Sequence, residues 1–221
     1  MNMSPVTMIR ELILEIYDLG GPVVLFLGAV SIATLSVVLY KLWQFRAAGV
    51  GRHKALREAV EAWDHGDRGG AHAALERSRS YLRPVVALAM QGGVDSARLD
   101  AEAETRFARL ERGFRFLDGV AQLSPLVGLF GTVLGMIAAF QALQDAGSAV
   151  DPSLLAGGIW VALLTTAVGL AVAMPTQVVL SWLEARIDAE RVLAGQAVRS
   201  VESPSGARPA ADAPAGQAVH A

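Results

Sequence analysis

The 221-residue chain has no cysteine, which excludes a disulfide scaffold, thiolate catalysis, iron–sulfur ligation and any zinc site built on Cys. Aromatic residues are scarce at 6%, and only 18% of the chain is charged, whereas 53% is hydrophobic. With a mean hydropathy of +0.41 this is too apolar for an ordinary soluble domain. Neither charge sign dominates: 21 acidic groups stand against 19 basic ones, so no global excess points to nucleic acid. Enzyme motifs are missing as well. There is no GxSxG and no HExxH, and the run GLFGTVLG has no Lys to make a phosphate-binding loop. What is abundant is Ala, Leu and Val interspersed with 22 glycines, as in closely packed membrane helices.

Charge is absent in three long windows, Leu19 to Tyr40, Gly119 to Gln144 and Pro152 to Leu183, of 22, 26 and 32 residues. At about 1.5 Å per residue even the shortest covers roughly 33 Å of helix, enough for a hydrocarbon core of about 30 Å. The expected fold is an all-α integral membrane protein whose three transmembrane helices extend into a helical cytoplasmic domain. Of the 19 basic residues, 14 lie between Lys41 and Arg115 and four follow the third window, leaving Arg10 alone before the first. The positive-inside rule then makes the middle segment and the C-terminus cytoplasmic, and places the N-terminus and the loop holding Asp145 and Asp151 outside.

The expected organisation is an external amphipathic N-terminal helix (1–18), a first span (19–42), a helical cytoplasmic domain (43–118), a second span (119–144), an external loop (145–153), a third span (154–183), a cytoplasmic helix (184–202) and a disordered tail (203–221). Glu11, Glu15 and Asp18 interrupt any cleavable signal, while Ile9, Leu12, Ile13 and Ile16 recur at helical spacing. The tail is rich in Pro, Ala, Gly and Ser without apolar periodicity.

In the cytoplasmic part, helical pieces break at Gly66 to Gly70 and near Gly92 and Gly93. The stripe Ala103, Phe107, Leu110, Phe114, Leu117 and Ala121 alternates three- and four-residue steps, flanked by the i,i+4 pairs Glu102–Arg106 and Glu111–Arg115. It predicts one helix of about 48 residues from Ser96 to Leu143, roughly 70 Å long, whose stripe serves either core packing or subunit contact. The four histidines, His53, His65, His72 and His220, are expected at the surface, and no metal or other cofactor is expected. The basic cluster from Arg46 to Arg57 reads as a topology signal plus anionic lipid contact, not nucleic-acid binding.

Both later spans have a small face and a bulky face. In the second, Ser124, Gly128, Gly131, Gly135, Ala139 and Ala142 form one stripe with Thr132 on its edge, opposite Leu126, Leu129, Phe130, Val133, Ile137 and Phe140. In the third, Gly158, Ala162, Thr165, Thr166, Gly169, Ala173 and Thr176 oppose Trp160, Leu163, Leu164 and Ala171. Small residues allow close helix approach, and a lone membrane threonine ordinarily bonds its own i−4 carbonyl, Val161 in the case of Thr165. Hydroxyls on two neighbouring helices can equally line a water-filled path. Pro125 and Pro175 free the carbonyls of Ala121 and Ala171, making kinks that are either static or hinges.

The runs LSPLVGLFGTVLGMIAAF (Leu123 to Phe140) and AGGIWVALLTTAVGLAVAMP (Ala156 to Pro175) resemble the ExbB/TolQ/MotA family of proton-channel subunits, ExbB in particular. The resemblance covers about Gly20 to Arg191. It implies a homopentamer in the bacterial cell inner membrane enclosing the single-span helices of an ExbD/TolR-like partner that carries a membrane Asp, with proton flow driving a TonB- or TolA-like protein that works on the outer membrane. By that likeness Thr132, Thr166 and, as an additional hydroxyl, Thr165 line the proton pathway, and Pro175 closes the third-span motif. Where ExbB and TolQ proteins often carry a glutamate, this chain has Val161, so no charge-free window holds a carboxylate, a histidine or a basic group and a proton relay needs a titratable site from elsewhere. The rival expectation is a non-conducting helical membrane scaffold, for which small-residue stripes would suffice.

The charge asymmetry predicts that a reporter fused after Arg57 is cytoplasmic and one inserted at Gly147 is external; reporter activity on the opposite sides would overturn the orientation.

Overall fold

A computed structural model of the chain describes residues 5–145 and 152–205. These residues form seven helices and no strand: α1 (Pro5–Ala48), α2 (Lys54–Asp64), α3 (Arg68–Arg77), α4 (Arg83–Gln91), α5 (Ser96–Glu111), α6 (Phe114–Asp145) and α7 (Pro152–Glu202). Three stretches are long and apolar enough to cross a membrane, Gly20–Ala48, Phe114–Asp145 and Leu155–Glu202. The centre of the expected external loop, the expected disordered tail from residue 206 and the side chains of Ile9, Leu12, Ile13 and Ile16 lie outside the described residues.

α1 is two helical pieces joined at Gly21, whose backbone (φ 67°, ψ −167°) is one that side-chain-bearing residues rarely adopt, and Pro22 follows. The prolines of the other two spanning helices behave differently. Pro125 and Pro175 lie inside α6 and α7, which both run on through them.

The chain divides into two compact units. Among the described residues the first, here the spanning unit, comprises 5–42, 113–145 and 152–183. The second, the polar unit, comprises 43–112 and 184–205.

In the spanning unit the small faces of α6 and α7 meet. Ser124, Gly128, Gly131, Ala139, Ala162, Thr165, Gly169, Ala173 and Thr176 are buried, while Leu126, Leu129, Phe130, Phe140, Trp160 and Leu163 are all more than half exposed. Ala142, at the end of the small stripe, is exposed. The approach leaves no room for a side chain. A Cβ at Gly169 would stand 2.5 Å from the Ser124 carbonyl oxygen, one at Gly128 would stand 2.8 Å from that of Thr165, and one at Gly131 would stand 2.7 Å from the Thr165 side chain. Gly135 faces Ala162 at 3.3 Å, and a Cβ at Gly158 would collide with Ala139.

The stripe from Ala103 to Ala121 is buried within the chain, but it is not one helix. α5 stops at Glu111 and α6 starts at Phe114, because Gly113 takes a left-handed backbone (φ 94°) just past the cap residue Arg112. This is the usual position of a glycine that ends a helix, with an α-carbon that has no Cβ to clash. The expected 48-residue helix is therefore corrected to two. The break also removes the expected Glu111–Arg115 pair, and Glu111 instead accepts from Arg191 at 2.6 Å. The Glu102–Arg106 pair, inside α5, is formed.

The polar unit packs α2 to α5 around the last part of α7. Leu56, Leu75, Leu82, Val85 and Val86 join Leu99, Phe107 and, from α7, Ile187 and Val198 in its core. Glycines with positive φ at Gly66, Gly92 and Gly93 sit at the turns between its helices. Asp67 caps α3 by accepting from the amide of Gly70 at 2.8 Å, and Trp63 Nε1 donates to the Val201 carbonyl at 3.0 Å.

Replacing Gly131→Leu or Gly169→Leu should separate α6 from α7 and cost about 2 kcal/mol or more, overpacking being destabilising by roughly 1–3 kcal/mol. Gly119→Ala, where a Cβ meets nothing within 4 Å, should be neutral. Thermal unfolding in detergent checks both; equal midpoints for all three variants would remove the α6–α7 contact as the determinant.

Candidate functional site

The hydroxyls of the two small faces occupy three different situations. Thr165 is 1% exposed, and its Oγ1 donates to the Ala162 carbonyl at 2.7 Å and across the helix pair to the Gly128 carbonyl at 3.1 Å. Its partner on its own helix is thus Ala162, not Val161, because a threonine hydroxyl reaches the i−3 carbonyl as readily as the i−4 one. Thr132, half-buried, donates to the Leu129 carbonyl at 2.6 Å. Thr166 differs from both: its Oγ1 is buried and, among the described residues, has no hydrogen-bond partner. The structure therefore brings Thr165 together with Gly128 and Gly131 at the contact, and leaves Thr166 as the hydroxyl with unused bonding capacity.

Pro175 borders a cavity of about 170 Å³ between α1 and α7, lined by Ser31, Thr34, Val38, Ala171 and Thr176 among others. Thr34 and Thr176 bond the carbonyls of Val30 and Val172, at 2.8 and 2.7 Å. Ala171, whose carbonyl loses its helical donor to Pro175, is also in this wall.

Two buried groups escape a reading of the sequence by composition. Lys41 directly follows the first charge-free window, yet it is only 2% exposed. Its Nζ lies 5.8 Å from the ring centres of both Tyr40 and Phe114, and its stem stands against Gly113. The second is a polar cluster in the polar unit. Glu190, 4% exposed on α7, accepts from His53 Nε2 at 2.7 Å, from the Gly51 amide at 2.8 Å and from Tyr81 Oη at 2.8 Å. His53 Nδ1 bonds Ser80 Oγ at 3.0 Å, and Ser80 Oγ accepts from the Leu82 amide at 3.1 Å.

His53 is therefore a correction to the expectation of surface histidines, whereas His65 and His72 are exposed and His220 lies outside the described residues. Left-handed Gly49 and Gly51 turn the chain so that the imidazole points inward against α7. A sequence signal existed on the partner side. Glu190 falls in the stripe Leu183, Ile187, Glu190, Ala194, Ala197 and Val201, an acid at a core position, which is buried only when it is paired. Burial pushes the Glu190 carboxyl up, but the bonds from His53, Tyr81 and Gly51 outweigh it and hold the group below the usual carboxylate value. Burial, together with the bond to Glu190 and its charge, pushes the Tyr81 phenol well up. Among the described residues no cluster of His, Asp or Glu is arranged to hold a metal.

Residues 73–194 match the MotA/TolQ/ExbB proton channel family. A protein described as an ExbB homolog from Methanothermobacter thermautotrophicus is 30% identical over 198 residues, covering 86% of this chain and 69% of that protein. Biopolymer transport protein exbB1 of Vibrio cholerae is 36% identical over 107 residues, or 47% of each chain. The Tol-Pal system protein TolQ of Haemophilus influenzae is 44% identical over 80 residues, 36% of this chain and 35% of that one. The chain thus spans about half or less of the last two relatives' lengths.

Because the folded Glu190 carboxyl is depressed, the stability it contributes is present above its unfolded value, about 4.3, and is lost as pH falls through the folded one. Glu190→Gln should cost about 2 kcal/mol at pH 7, within the range for breaking a buried bonded charge, and should flatten the loss of stability between pH 5 and 3. Circular dichroism melts of the full chain in detergent across that range are the check; parallel curves for wild type and variant would refute it.

Proposed function

The chain belongs to the MotA/TolQ/ExbB proton channel family, most like ExbB, and from that premise we propose that it is the multi-copy subunit of an inner-membrane motor that couples proton-motive force to work at the outer membrane. The observation that carries this reading is the buried, unpartnered hydroxyl of Thr166 beside a helix pair free of charge. An unbonded buried hydroxyl costs about 1–3 kcal/mol, so its place in the fold is accounted for if water or a group from another chain completes its bonding. A proton relay near neutral pH needs a carboxylate, a histidine or a basic group, and the charge-free windows hold none. The proposed source is an aspartate on the single membrane helix of an ExbD/TolR-like partner, enclosed by five copies of this chain.

In that assembly Thr166 organises water around the partner's carboxylate, aided by Thr132, whose oxygen still accepts from water while its proton is held by the Leu129 carbonyl, and the partner passes the work to a TonB- or TolA-like protein. Thr165 has a different task. Its hydroxyl is spent on the Ala162 and Gly128 carbonyls, so it holds the two helices together and leaves the path to its neighbours. The N-terminus is external, and the polar unit and the C-terminus are cytoplasmic.

Proton flux into vesicles holding this protein with its partner tests the proposal. A hydroxyl bonded to a charged group contributes about 1.5 kcal/mol or more, so Thr132→Val with Thr166→Val should lower flux by roughly tenfold or more at equal assembly. The corresponding Ser variants should be milder, and Thr165→Val should lower the melting temperature instead. Unchanged flux in the double Val variant would leave the scaffold alternative standing.

A further inference from the structure

The fold gathers positive charge that the sequence holds in two separate places. A cleft of about 680 Å³ in the polar unit is lined by Arg52 from the turn before α2, Lys54 and Arg57 from the start of α2, and by Arg77 and Arg79 from the end of α3 and the turn after it. Only two carboxylates, Glu58 and Glu61, share it, in a chain whose net charge is −2. Glu58 pairs with Arg77 at 3.7 Å and Lys54 at 4.0 Å, both exposed, and such contacts stabilise little. Among the described residues Arg52, Arg57 and Arg79 form no ion pair, and all three are exposed.

The convergence is built in from below. The buried bond between His53 Nδ1 and Ser80 Oγ fastens the segment carrying Arg52 to the segment carrying Arg79. Left-handed Gly49 lets the turn approach so closely that a Cβ there would stand 3.3 Å from the Arg79 carbonyl oxygen. The first turn of α2 also receives no side-chain cap from His53, so its partial positive charge adds to that of the arginines.

We propose that this cleft binds the phosphate headgroup of an anionic phospholipid, with Arg52 and Arg79 as its principal contacts. Guanidinium groups match phosphate oxygens in pairs, and two of them lining one cleft offer two such forks. A lipid is favoured over a free phosphate by the chain connection. α1 continues eight residues past Tyr40, about 12 Å of helical rise, and Arg52 follows four residues after its end. Long basic side chains that follow a membrane span closely in sequence contact the headgroup layer. The proposal rests on the membrane orientation argued above, and lipid retention tests it apart from proton flux.

The experiment uses the full chain purified in mild detergent, with native mass spectrometry counting retained phosphatidylglycerol against phosphatidylcholine. Wild type should prefer phosphatidylglycerol, and Arg52→Gln with Arg79→Gln should lower that preference by roughly tenfold, each surface cation near anionic lipid contributing several-fold. Arg98→Gln with Arg109→Gln removes the same charge from exposed positions outside the cleft and should leave the preference unchanged. Millimolar pyrophosphate should not displace the lipid. Equal retention in the two double variants would reduce the effect to bulk charge and overturn the site; displacement by pyrophosphate would make it a free-phosphate site and overturn the lipid. Matching circular dichroism melts for the variants exclude misfolding as the cause of any loss.

Discussion

Everything in the spanning unit follows from the closeness of α6 and α7. At Ser124 and Gly169, and again at Gly128 and Thr165, backbone meets backbone with no space for a methyl group. In hydrocarbon there is no hydrophobic gain from bringing two apolar helices together, so dispersion contacts and shared hydrogen bonds must hold them, and both require short distances. Small residues are thereby committed to the inside and large ones to the outside. The outward rows of Leu126, Phe130, Trp160 and Leu163 are left for lipid or other chains to cover. The same geometry takes Thr165 out of play as a free hydroxyl and sets Thr166, one residue on, in a different environment.

Periodicity and charge made the large features legible. Three windows without charge identify the crossing helices, and the division into small and bulky faces follows from residue size at helical spacing. What sequence reading missed turns on backbone conformation and on contacts between distant segments. Gly113 sits inside a stripe with flawless helical spacing, and only its left-handed backbone shows that the stripe belongs to two helices. Spacing records which side chains share a face and is silent about where one helix axis ends and another begins. His53 is similar: nothing near it in sequence shows that its partners are Ser80 and Glu190, 27 and 137 residues away. The threonines were identified as a group by residue type, but their differing bonding depends on which carbonyl each rotamer reaches.

The polar cluster and the cationic cleft are two layers of one construction. Glu190 is the buried acceptor on which His53, Tyr81 and the Gly51 amide converge, and the segments so fastened carry Arg52 and Arg79 on their outer side. A neighbouring set shows the same preference for local neutralisation, since Arg191 bonds Glu104, Glu111 and Asp188 and lies 5.5 Å from the Phe107 ring. Against those balanced pairs, the unpaired arginines of the cleft stand out.

The polar unit is assembled from pieces that are far apart in the chain, and this sets an order of events during synthesis. Residues 43–112 leave the ribosome well before their partners, because Ile187, Glu190, Val198 and the Val201 carbonyl that receives Trp63 arrive only after the second and third apolar helices have been made. Until then Leu56, His53 and Trp63 lack the surface they pack on, and the early segment has an open apolar side in water. Synthesis of α6 and α7 is thus a precondition for closing the polar unit. A nascent chain that stops before residue 184 is left with an incomplete domain, a state that a quality-control protease can distinguish from the finished protein by that exposed side.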